Sequence, residues 1–142
     1  MPVTGIDHVA IPTANAERLL AFYKRLGFQT NNEEAWREGR ANTFSIQVGH
    51  SKINVHPEGF VAERRGPTAV PGCMDICFVF DGTVDECRDM LTRAGVTIIH
   101  GPVKRMGGWA RGKAPAVSFY GRDPDDNLLE WMVYLDPATV PA

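Results

Sequence analysis

Four side chains able to hold a metal ion or move a proton recur at related places in this 142-residue chain: His8, His56, Asp75 and Glu130. His8 and His56 lie in Ile6-Asp7-His8-Val9-Ala10 and Ile53-Asn54-Val55-His56. Asp75 and Glu130 lie in Cys73-Met74-Asp75-Ile76-Cys77 and Asn127-Leu128-Leu129-Glu130. Aligning the first stretch with the third matches His8 to Asp75, and aligning the second with the fourth matches His56 to Glu130. Two imidazoles and two carboxylates suit one borderline divalent ion such as Zn, Fe, Mn, Ni or Co. Two His and one carboxylate with open positions also resemble a non-haem iron centre. Alternate residues of a strand share a face. Lys52 and Asn54 should therefore share a face with His56, and Ser45, Gln47, Ser118 and Tyr120 should line the same cavity.

These side chains need strands to present them. Residues 5–11 are β-branched and alternating, and Pro12 closes them. Asn15 offers a helix N-cap, Leu19, Leu20, Tyr23 and Leu26 recur at helical spacing, and Gly27 stands where a C′ residue belongs, so a helix is expected over 16–26. Three strands should follow: a poorly defined one near Trp36, then 43–48 and 52–56. The pattern restarts with a strand over 74–80, a capping box Thr83-Val-Asp-Glu86, a helix ending at Gly95, and strands over 96–103, 116–120 and 128–134. The order β-α-β-β-β thus occurs twice. The expected fold is α+β, with two tandem βαβββ modules forming one cavity-lined, curved-sheet domain over 1–142. Module 1 covers about 1–60 and module 2 about 73–135. The Pro-, Gly- and charge-rich stretch 57–72 reads as their linker.

Composition narrows the function. Hydrophobic residues make up 44% and charged residues 23%, which is globular rather than disordered. The net charge of −2 leaves no basic surplus for phosphate neutralisation, so nucleic acid is not an expected partner. No apolar run approaches the ~20 residues that span a bilayer, so no membrane partner is expected either. Three cysteines without a framework pattern and no signal-peptide pattern at the start fit a cytoplasmic protein.

The repeat, Ile-Asp-His8-Val-Ala, Phe22-Tyr23-Lys-Arg-Leu-Gly27-Phe28 and Arg122-Asp-Pro-Asp-Asp-Asn-Leu-Leu-Glu130 together resemble the vicinal oxygen chelate superfamily. That superfamily holds glyoxalase I, extradiol dioxygenases, thiol transferases of fosfomycin resistance and bleomycin-binding proteins. Lys52-Ile-Asn-Val-His56, the Pro-Gly leading into Met74-Asp75, and Gly101-Pro-Val-Lys-Arg are similar to its small glyoxalase-domain members, one of them associated with bacterial virulence. The resemblance implies a metal held by His8, His56 and Glu130, a small-molecule substrate and a homodimer; strand alternation makes Asn54, Ser118 and Tyr120 the expected substrate-binding residues. Asp75 departs from the pattern, because many members carry His on that strand; it is expected as a fourth ligand, a base or a partner of a ligand. Asp126 stands where Gly is usual, a turn position that Asp tolerates.

The remaining candidates have plainer readings. His50 and His100 read as turn or surface residues, and Cys73, Cys77 and Cys87 as small buried apolar side chains. The stretch 104–113, with Lys104, Arg105, Arg111, Lys113 and Trp109, reads as a solvated loop or a lid over an anionic substrate. Arg122 belongs to the turn. The expected function is a divalent-metal-dependent enzyme acting on an oxygen-chelating small molecule, by isomerase, lyase or ring-cleaving dioxygenase chemistry. Glu130 and Asp75 are the catalytic groups. The alternative is a non-catalytic protein that sequesters a toxic small molecule.

Overall fold

A computed structural model describes residues 1–136. The chain divides into two compact units. Unit 1 is Met1–Met74 with Pro124–Asp126, and unit 2 is Asp75–Asp123 with the described residues from Asn127 on. Among the described residues no helix is long and apolar enough to cross a membrane.

Unit 1 runs β1 (His8–Pro12), α1 (Ala16–Arg25), β2 (Thr30–Asn31), α2 (Glu33–Arg37), β3 (Phe44–Val48) and β4 (Ser51–His56). Its sheet has the order β1-β4-β3-β2, with β1 parallel to β4 and the other pairs antiparallel. Unit 2 repeats the plan with β5 (Asp75–Val79), α3 (Val84–Arg93), β6 (His100–Gly107), β7 (Ala114–Arg122) and β8 (Leu128–Tyr134), in the order β5-β8-β7-β6. In each unit the first strand pairs parallel with the last. The two four-stranded mixed sheets with their helices are the twice-repeated βαβββ plan expected from the sequence.

Local chemistry explains the elements. The Asn15 side chain accepts from the Arg18 N–H at 3.0 Å and starts α1. Gly27, at φ 91°, ends it, with the Phe28 N–H donating to the Tyr23 carbonyl as in a Schellman motif. Thr83 and Glu86 make both bonds of the capping box at the start of α3. Leu19, Leu20 and Tyr23 of α1 and Ile46, Ile53 and Val55 of the sheet are fully buried. In unit 2 Leu91, Phe119, Leu129 and Trp131 are buried in the same way.

Three expectations change. Trp36 lies in α2, not in a strand: Asn32 is left-handed at φ 66°, so β2 stops after Asn31. Glu33 and Glu34 then favour the start of a helix and Arg37 its end. Second, Lys104–Gly107 is strand, not loop. Lys104 pairs with Val117, Arg105 with Ala116, Met106 with Pro115 and Gly107 with Ala114. Lys104 and Arg105 are therefore charges on an edge strand, where they discourage edge-to-edge pairing, and not part of a lid. Third, the chain between Thr97 and Ile99, expected as strand, is irregular; β6 starts at His100.

The start of α1 is also fixed by distant residues. The Thr13 O–H donates to Asp125 Oδ2 (2.5 Å), the Ala14 N–H donates to Asp125 Oδ1 (3.0 Å), and Arg18 lies 3.9 Å away. Glu58 Oε2 accepts from the Ala16 N–H at 2.8 Å. Two carboxylates thus face the positive end of the helix. The Asp125 side chain is 1% exposed. The substitution Asp125→Ala should cost about 2 kcal/mol, since it leaves the buried Thr13 hydroxyl and the Ala14 N–H without their acceptor. Urea denaturation of the variant beside wild type checks this; an unchanged midpoint would remove Asp125 from the framework.

Candidate functional site

The polar side chains follow from strand parity. Residues directly opposite in a ladder point to the same face. In unit 1, His8 lies opposite Lys52, Ala10 opposite Asn54, and Pro12 opposite His56; Asn54 and Lys52 lie opposite Ser45 and Gln47. One face of this sheet is therefore polar, and the other carries Ile11, Phe44, Ile46, Ile53 and Val55. The Asn31 side chain continues the polar face, donating to Ser45 Oγ (3.1 Å) and Gln47 Oε1 (2.8 Å).

His8 is exposed at the start of β1, with Nδ1 2.7 Å from Asp7 Oδ1. The contact orients the ring through Nδ1, the carboxylate–histidine arrangement that supports metal ligation. The His8 partner, by hydrogen bond and charge, holds the Asp7 carboxyl below its usual range.

His56 does not stand beside His8. It lies opposite Pro12, four positions further along the parallel ladder, which is roughly 13 Å of strand. Its ring meets Phe60 edge-on at 5.2 Å. The alignment of His56 with Glu130 is also displaced. Glu130 lies opposite Cys77, two residues past Asp75; the residue two past His8 is Ala10, and its partner is Asn54. Asn54 is thus the ladder equivalent of Glu130.

In unit 2, Asp75 and Cys77 share a face with Leu128, Glu130 and Met132, and Tyr120 and Ser118 lie opposite Glu130 and Met132. Glu130 Oε2 is buried with no hydrogen-bond partner among the described residues, as is Ser118 Oγ. Such an atom is costly unless something else satisfies it. Two neighbours report the Glu130 charge. The Cys77 thiol is pushed up to about 12, first by desolvation, then by the Glu130 carboxylate and by Asp75. The Tyr120 hydroxyl is raised by desolvation and by Glu130, against Arg105, whose Nε donates to the Tyr120 oxygen at 3.0 Å. Cys77, read from sequence as a plain apolar filler, is a member of this cluster; alternation with Asp75 was the signal.

The turn between β7 and β8 is structural. Asp123 accepts from the Asn127 backbone N–H (3.1 Å) and side-chain amide (2.8 Å), both residues being buried. Asp126 is left-handed at φ 67°, the conformation that Gly would adopt most readily. Among the described residues no three His, Cys, Asp or Glu side chains are grouped closely enough to hold a metal ion. Each unit nevertheless carries donors of a suitable kind: an imidazole beside a carboxylate in unit 1, and a buried carboxylate oxygen without a partner among the described residues in unit 2.

The sequence profile of the Glyoxalase/Bleomycin resistance protein/Dioxygenase superfamily matches residues 5–131. The chain belongs to this superfamily. It is 32% identical over 136 residues to the glyoxalase domain-containing protein RDO1 of Mycosarcoma maydis, covering 96% of this chain and 72% of that protein. It is 30% identical to virulence protein STM3117 of Salmonella typhimurium, covering 95% and 88%. The solved structure of the integron cassette protein VCH_CASS1 from V. cholerae superposes with a TM-score of 0.80 at 32% identity, covering 95% of this chain and 98% of that one. Superfamily membership agrees with the resemblance seen in the sequence motifs.

The elevated thiol gives a test of the Glu130 environment. Thiolate is the reactive form, and its fraction at pH 8 falls about a thousandfold for a thiol near 12 relative to an ordinary one. In metal-free protein, iodoacetamide should therefore label Cys77 at least ~100-fold more slowly than a free model thiol. The rate should climb steadily between pH 8 and 11. Removing the negative charge in Glu130→Gln should lower the thiol pKa and speed labelling, read by peptide mass mapping. Equal rates in both proteins would show that Glu130 does not act on this thiol.

Proposed function

We propose that this protein is a divalent-metal-dependent enzyme of its superfamily, acting on a small molecule that presents adjacent oxygens, by isomerase or lyase chemistry. The observation that carries the reading is the buried Glu130 Oε2, which has no hydrogen-bond partner among the described residues. A carboxylate oxygen in that state calls for a cation or a donor from a ligand. We take His8 and Glu130 as metal ligands, with Asp7 orienting the His8 ring through Nδ1. His56 is left out of the ligand set because of its place on the ladder.

A bound divalent ion supplies Lewis-acid stabilisation of negative charge on substrate oxygens. The chain's own groups do the rest. Asp75, exposed on the face it shares with Glu130, accepts and returns a proton at its carboxylate. Tyr120 and Ser118 offer hydroxyls on that face, Asn54 offers a side-chain amide on the polar face of unit 1, and these orient the substrate. The Arg105 bond fixes the Tyr120 ring.

We propose further that the chain works as a homodimer. β1 and β5 are the terminal strands of their sheets. They and the adjoining chain expose apolar side chains, Val9 at 38%, Ile6 at 74% and Val79 at 52%. Apolar side chains on an open edge favour association.

Metal content after anaerobic reconstitution with competing Zn, Fe, Mn, Ni and Co tests the central reading. About one equivalent per chain is expected. His8→Ala and Glu130→Ala should each weaken binding by more than about a hundredfold, and Asp7→Asn by about ten- to a hundredfold through loss of ring orientation. His56→Ala should retain the metal. Absence of metal under every condition would overturn the enzyme reading and favour sequestration of a small molecule.

A further inference from the structure

The polar face of unit 1 continues beyond His8 to Ala10, Pro12 and His56, and there residues 57–71 close against it. Together they line a half-open cavity of about 360 Å³, at the small end of ligand-binding pockets, with Arg64 and Arg65 on its exposed wall. Its walls are apolar where Pro12 and Phe60 stand, and Phe60 is set edge-on against His56. Its charges are Arg64, Arg65 and Glu58. Arg65 Nη1 donates to the Ala62 carbonyl at 2.8 Å, which restrains its guanidinium on the segment that forms the wall. Neither arginine is in an ion pair with another described residue. Glu58 directs Oε2 to the Ala16 amide and the start of α1. The lining thus carries two guanidiniums and one carboxylate, and that carboxylate already serves a helix.

We propose that this cavity binds a small molecule with an anionic head, carboxylate or phosphate, on a compact apolar body. Arg64 and Arg65 take the head and Phe60 and Pro12 contact the body. Guanidinium is the side-chain group best matched to both heads, because it can donate two parallel hydrogen bonds. The apolar walls reject a bare inorganic ion as the best ligand, and the two arginines reject a neutral apolar one. His56 then belongs to this cavity as a polar lining group. The proposal goes beyond the metal reading and does not depend on it.

The test uses the full-length protein freed of metal, so that failure of the metal reading leaves it intact. Phenylacetate and phenyl phosphate are titrated by calorimetry, beside the neutral isostere phenylacetamide. At least one anion should bind once per chain and at least about tenfold tighter than the amide; which of the two binds identifies the head group. In the double variant Arg64→Gln/Arg65→Gln that advantage should fall by at least about tenfold, while Arg40→Gln, which removes an exposed arginine paired with Glu38, should leave it unchanged. Equal affinity for anion and amide in the wild type, no binding of either anion at millimolar concentration, or full affinity in the folded double variant would each overturn the proposal. The wild-type comparison of anion with amide decides the matter even if the double variant does not fold.

Discussion

Burial of one face of each sheet dictates the chemistry of the other. A strand places successive side chains on opposite faces, so a strand whose odd positions build the core must offer its even positions elsewhere. In β4, Ile53 and Val55 are buried to the last few square ångströms, and Lys52, Asn54 and His56 are thereby assigned together to the opposite face. In β8 the buried residues Leu129, Trp131 and Val133 do the same for Leu128, Glu130 and Met132. The parallel pairing of first and last strands then brings His8 and Asp75 onto these polar faces. Within each unit, strand parity alone places these side chains on one face.

Electrostatics in unit 2 follows from this constraint. Glu130 comes onto its face between Cys77 on one neighbouring strand and Tyr120 on the other. Desolvation raises the two neutral acids, and the carboxylate between them raises both further. Arg105 opposes the rise at Tyr120 through its hydrogen bond and has no counterpart at Cys77 among the described contacts. The face therefore carries two carboxylates, Asp75 and Glu130, and the buried Glu130 Oε2 has no hydrogen-bond partner among the described residues, the condition that a cation or a hydrogen-bond donor would relieve.

How far the sequence could be read depends on the symmetry of its signals. Caps at Asn15 and Thr83, stops at Gly27 and Gly95, and alternation in β3, β4 and β8 are local and sharp, and the elements appear where those signals lie. The face of each candidate residue was legible for the same reason. Its depth along the strand was not. A period of two is unchanged by a slip of two residues, so matching His56 with Glu130 or Asn54 with Glu130 satisfies the pattern equally. The ladder partners, Pro12 for His56 and Cys77 for Glu130, decide between them. Lys104 and Arg105 misled for a related reason: charge suggests loop, yet an edge strand carries charge to protect its open side. At Trp36 the strand pattern was weak, and the left-handed Asn32 turned the chain into a helix.

The stretch 57–71 shows where composition is least informative. Its prolines and glycines suggest a free linker, but its beginning and the residue that follows it are both held within unit 1. At the start, Glu58 accepts from the Ala16 amide. At the far end, Gly72 lies so close to the Asp125 carbonyl that a Cβ would fall 2.6 Å from its oxygen, and at φ 89° it adopts a conformation that other residues resist. Asp125 is itself fixed by Thr13 and Ala14. A segment bonded near its start and packed close to Asp125 just past its end has lost part of its chain entropy in the folded protein, which lowers the ordering cost to a ligand that meets its wall. The arginines that look like linker charge in the sequence are thereby held at the end of the sheet face that begins at His8.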